Sequence, residues 1–158
     1  MKTMRAFCQN LGQLLLRLGL AVALFPHGAQ KMLGIWGGTG FSATLSTFTE
    51  QMHVPWLLAL AAILLEFFAP IALVLGLLTR LAGLAIATHI VTAAFLGGHV
   101  ANGFFMNWFG NQKGEGFEYH ILMATLGLGL ALLGSGKWSL DCAILCRRTA
   151  APPKPNAL

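Results

Sequence analysis

Residues 55–98 read PWLLALAAILLEFFAPIALVLGLLTRLAGLAIATHIVTAAFLGG, and only Glu66, Arg80 and His89 place an ionisable side chain in that run. A membrane-spanning helix needs about 20 mostly apolar residues. The stretch holds two such lengths, about 55–77 and 79–98, which meet at Gly76-Leu77-Leu78-Thr79-Arg80. Working outward, a third apolar length covers about 11–33 and a fourth about 117–133. The fourth is the shortest, at about 25 Å if fully helical, and just covers the hydrocarbon layer. The sequence therefore predicts an all-α integral membrane protein built as a four-transmembrane-helix bundle. Composition agrees: 56% of the 158 residues are hydrophobic and 9% are charged. A soluble domain carries about 25% charged residues. So few charges cannot cover a surface in water, so lipid is the solvent for much of this chain.

Basic residues outside the spans set the orientation. Lys2, Arg5, Arg80, Lys137, Arg147, Arg148 and Lys154 fall on the side of the N-terminus, against Lys113 and the helix-end Lys31 on the other. That predicts a multi-pass protein of the bacterial inner (plasma) membrane with both termini cytoplasmic. Residues 1–10 form a cytoplasmic N-terminus, 11–141 the membrane domain, and 142–158 a cytoplasmic tail. Within the tail, residues 150–158 with their three prolines read as disordered. The first apolar segment is not read as a cleaved leader, because Arg17 interrupts it and no small-x-small site follows. The net charge of +5 has no basic patch with interleaved aromatics, which argues against nucleic acid and for anionic lipid. Cys8, Cys142 and Cys146 are an odd set without CxxC, read as reduced thiols near a membrane end; no metal centre is expected.

Two connections carry patterns of their own. After Gly34, Gly37, Gly38 and Gly40, the residues Phe41, Leu45, Phe48 and Met52 recur at helical spacing. They predict an amphipathic outer-interface helix between spans 1 and 2. The loop before the fourth span holds Phe104, Phe105, Trp108 and Phe109, suited to the headgroup region.

Ionisable groups inside a membrane are costly and often functional. The spans contain Arg17, His27, Lys31, Glu66, His89, Glu118 and His120, an intramembrane polar cluster. At 1.5 Å per residue, Arg17 lies about 9 Å and Glu66 about 18 Å from the inner ends of their spans. A long guanidinium stem covers that offset, so an Arg17–Glu66 pair is expected, with His89 at the level of Glu66. His27 and Lys31 are four apart and share a face. Lys31 shares an outer level with Glu118 and His120. Pro26 and Pro70 break ladder bonds near the same residues. These features predict a pocket lined by His27, Lys31 and Glu118. The plainer reading is a buried pair that fixes helix register, and His89 alone fits a core histidine bonded to a backbone carbonyl.

Four sequence blocks resemble the DoxX family of small bacterial membrane proteins, over about residues 15–141. The first is R-x-G…H-G-x-x-K, with Arg17, Gly19, His27, Gly28 and Lys31. The second is E…G-L-x-T-R, with Glu66, Gly76, Thr79 and Arg80. Gly116-Phe117-Glu118 is similar to the family's start of helix four, and Gly134 to Asp141, GSGKWSLD, to its close. The family is named for a membrane subunit of thiosulfate:quinone oxidoreductase. The resemblance therefore implies redox chemistry at the membrane, with quinone as electron carrier and a soluble redox partner subunit.

Three function classes follow. The first is a quinone-interacting membrane component of an oxidoreductase system, in which His27 and Lys31 donate to ring carbonyls and Glu118 or Glu66 manages protons. The second is a non-catalytic scaffold or small transporter; Ala124, Gly127 and Gly129 permit close helix contact within the bundle or in a homo-oligomer. The third is a b-type haem protein using His27 and His120, the histidines of matched depth.

Overall fold

A computed structural model describes residues 1–149, without the side chains of Lys2 and of residues 146–149. The tail expected over 150–158 and the Cys146 thiol therefore lie outside the described residues. All regular structure among the described residues is helical: α1 (Lys2–Leu33), α2 (Phe41–Ser46) running into a π-helical turn (Thr47–Gln51), α3 (Trp56–Leu75), α4 (Thr79–Leu96), α5 (Glu118–Leu133) and α6 (Leu140–Thr149). Three of these, α1, α3 and α4, are long and apolar enough to cross a membrane, and α5 is a shorter apolar helix.

The 32 residues of α1 measure about 48 Å. That exceeds the roughly 30 Å hydrocarbon layer, so its first turns project beyond the bundle. The helix runs from what we call the base, shared with α6 and the 76–78 turn, to the crown, formed by α2 and the 97–117 loop. The tail expected from residue 142 begins as helix α6. Gly34 (φ 71°) and Gly76 (φ 67°) end α1 and α3 in the left-handed conformation that glycine adopts without steric cost. Between spans 1 and 2 the chain is helical as expected, but its buried residue is Thr44, whose hydroxyl meets that of Thr39 at 2.9 Å.

Leu20, Leu24, Leu73, Ile86, Met123 and Leu130 fill the centre of the bundle. Two close crossings set its width. Gly28 of α1 abuts the backbone of Glu66 in α3, and Gly83 of α4 abuts Gly127 of α5. Gly127 is thus used inside the chain, whereas Gly129 has nothing within 4 Å of where a side chain would start. The outward faces are apolar (Val22, Leu57, Leu81, Phe95 and Leu132 are exposed), an exterior that suits lipid rather than water.

Candidate functional site

The polar residues of the bundle separate into two groups. At the base, Arg17 is 1% exposed and forms no salt bridge among the described residues. Its guanidinium donates to the carbonyls of Leu73 (2.8 Å), Val74 (3.0 Å), Ser135 (2.8 Å) and Trp138 (2.8 Å). The expected Arg17–Glu66 pair is therefore not formed. The last carbonyls of a helix lack intrahelical partners and carry the negative end of its dipole, so the end of α3 takes the cation instead. Beside it, the Asp141 carboxylate accepts from the Leu78 (2.7 Å) and Thr79 (2.9 Å) amides at the start of α4. Arg17, the 76–80 turn and the 134–141 segment thus form one structural knot.

Nearer the crown, Glu66 is 6% exposed and accepts at both oxygens. Lys31 donates to Oε2, and His89 Nε2 donates to Oε1 at 2.7 Å. His89 is thus bonded to a carboxylate rather than to a backbone carbonyl. Lys31 was expected at the level of Glu118, yet it pairs with Glu66. The reason lies in helix geometry: each Cα–Cβ bond tilts toward the helix N-terminus, so along α1 the long cations reach toward the base. Arg17 drops to the carbonyls and Lys31 drops to Glu66. The close contact of Gly28 with Glu66 brings α1 near enough for this. Glu118 instead accepts from the Met106 amide at 3.3 Å and tethers the crown loop.

Above Glu66 lies a cavity of about 260 Å³. Its polar walls are His27, Lys31, Glu66, Tyr119, His120, His99 and Glu115; Leu24, Ile90, Ala93 and Met106 supply apolar surface. Of the expected pocket trio, His27 and Lys31 line it and Glu118 does not. Glu115, three residues earlier, lines it in place of Glu118. The rings of His99 and His120 are 4.4 Å apart, and Nδ1 of His120 is buried without a hydrogen-bond partner. Tyr119 lies beside both His27 and His120, with its ring 6.4 Å from the first and 6.1 Å from the second. A second hollow of about 410 Å³ lies on the opposite flank of α1, walled only by apolar residues around Pro26 and Pro70.

His99, Glu115 and Tyr119 were not among the residues singled out from the sequence. Tyr119 carried a signal: with Met123, Leu126 and Leu130 it forms an i, i+4, i+7, i+11 stripe, which marks the core face of α5. His99 and Glu115 carried none, because the crown loop folds back through backbone bonds such as Gly116 N to the Phe105 carbonyl (3.2 Å). The arrangement gathers an ammonium, several imidazoles and a phenol around a small space in an apolar bundle. It suits a small ligand with carbonyl or other oxygen acceptors.

No curated protein and no solved structure matches the chain. A family model, DoxX, matches residues 12–99, which contain Arg17, His27, Lys31, Glu66 and His89 and stop short of α5. That match covers more than half of the sequence, and with it the chain belongs to the DoxX family.

Proposed function

We propose that this DoxX protein is a quinone-interacting component of an oxidoreductase system in the bacterial inner membrane. In this reading it crosses the bilayer four times, with the base in the cytoplasm. Support for the fourth crossing comes from α5 running antiparallel along the whole of α4. Arg80 donates to the Ala131 carbonyl (3.1 Å) at the base, Gly83 abuts Gly127 midway, and His99 meets His120 at the crown. The excess of Lys and Arg at the base supports its cytoplasmic placement.

The observation that carries the function is Glu66 bridging Lys31 and His89 on the wall of the cavity. A quinone supplies a flat ring with two carbonyl acceptors that takes up electrons together with protons. The cavity is slightly below the roughly 300–1,000 Å³ of pockets for drug-sized ligands, which suits one ring. Lys31 and His27 are the donors for a ring oxygen, and Leu24 and Ile90 supply apolar contact to its faces. Glu66 accepts from both the Lys31 ammonium and His89 Nε2, so two N–H groups converge on one carboxylate beside the ring site. Electrons would come from a soluble redox partner.

The test is a titration of the purified chain with a short-chain quinone, followed by tryptophan quenching and checked by calorimetry. Saturable binding is expected, and Lys31→Met should abolish it while the fold survives. A flat wild-type titration ends the reading for the isolated chain.

A further inference from the structure

Two residues that line the cavity are exposed, on different sides of it. At the crown its rim includes the exposed Glu115, which faces water in the proposed topology. On its flank the rim is His27, also exposed although it lines the cavity. Along α1 the exposed Val22 and Pro26 mark the outward stripe, and the buried Leu20, Leu24 and Gly28 mark the core stripe. His27 lies between these stripes, on the side of Tyr119 and therefore of α5. An exposed residue of the cavity wall thus stands at the boundary between α1 and α5, at the level of the polar cluster.

That seam is unevenly hydrogen-bonded. At the base, Gln13 donates to the Leu133 carbonyl (2.9 Å) and Arg17 to that of Ser135 (2.8 Å). Higher up, the Tyr119 hydroxyl donates to the Ala23 carbonyl at 3.3 Å, one turn below His27. Above that bond no hydrogen bond joins α1 to α5 among the described residues.

We propose that the ligand is an amphiphile whose ring fills the cavity while an alkyl or isoprenoid chain leaves through the α1–α5 seam beside His27. The proposal rests on the quinone reading and adds the class of ligand and its route. A volume of about 260 Å³ holds a ring and leaves no space for a long chain. The chain must pass through a wall, and the wall beside His27 leads into lipid, where a hydrocarbon chain is at no disadvantage. His27 is then the first donor that the ring meets on entering, with Lys31 one turn deeper into the site.

The experiment uses the full-length chain in lipid nanodiscs and two probes, dimethoxy-methyl-benzoquinone and its decyl-substituted derivative. Ala23, one turn below His27, is a half-buried residue packed against the core beside the Tyr119 bond, and it is not part of the cavity wall. Ala23→Phe should weaken the decyl probe about tenfold by filling the chain's path, and Ala23→Leu should do so to a smaller degree. The tail-less probe should stay within about twofold. Equal losses for both probes, no loss for the decyl probe, or binding of the tail-less probe alone would overturn the route and leave the quinone reading standing. Failure of the wild type to bind either probe would remove the quinone reading itself.

Discussion

A methyl group added to Gly28 would stand 2.2 Å from the carbonyl oxygen of Glu66, so these two residues fix the distance between α1 and α3. The obstructing atoms are backbone and cannot rotate away. Gly28→Ala must therefore part the helices at the level where Lys31 meets the carboxylate. The expected cost is at the upper end of the roughly 1–3 kcal/mol typical of overpacking. Gly19 on the same helix has nothing within 4 Å, so Gly19→Ala should leave the thermal midpoint unchanged or slightly higher. Melting curves of both variants in one detergent make the comparison.

Arg17 should prove essential to the fold and independent of Glu66. Arg17→Gln strips donors from buried carbonyls, each costing about 1–3 kcal/mol when left unsatisfied. Arg17→Lys should rescue little, because a single ammonium cannot replace a planar fork that reaches α3 and the 135–138 segment together. With no contact between Arg17 and Glu66, the Arg17→Gln and Glu66→Gln losses should add to within about 0.5 kcal/mol in the double variant. A marked recovery in the double variant would contradict this arrangement.

Asp141 works as a cap supplied from a distant segment. Asp141→Ala frees the amides of Leu78 and Thr79, at a cost of about 0.5–2 kcal/mol by analogy with helix caps. Asp141→Asn keeps one acceptor oxygen and should lose less. Hydrogen exchange localises the effect: the Leu78 and Thr79 amides should exchange faster in the alanine variant, while those of mid-α3 stay protected.

Topology is tested with thiol chemistry. Cys8 is exposed at the base, and Trp108 is exposed in the crown loop. In intact cells a membrane-impermeant maleimide should miss Cys8 until the inner membrane is opened, and should label a Trp108→Cys variant at once. The reverse pattern would invert the protein.

Apolar run length was enough to find the helices, and depth arithmetic placed Glu66 level with His89. Pairing was harder to read. Arg17 and Lys31 were assigned partners by level alone, while the tilt of side chains toward the helix N-terminus moves both cations about a turn toward the base. Arg17 also binds main-chain carbonyls, and carbonyls leave no mark in a sequence. Tyr119 was legible from its stripe. His99 and Glu115 come together, His99 Nδ1 on the Glu115 carbonyl, only because the crown loop returns to the start of α5 through backbone bonds that any residue type can make.

The carbonyl knot around Arg17 also has a consequence for biosynthesis. Its partners are made at very different times: Leu73 and Val74 follow Arg17 by 56 and 57 residues, whereas Ser135 and Trp138 follow it by 118 and 121. The start of α4 likewise waits for Asp141. α1 thus completes its bonding only with a segment made more than 100 residues after it. A chain cut before Ser135 should insert and still be cleared by membrane proteases, and a pulse-chase of that truncation beside the full chain would measure how far the knot governs survival.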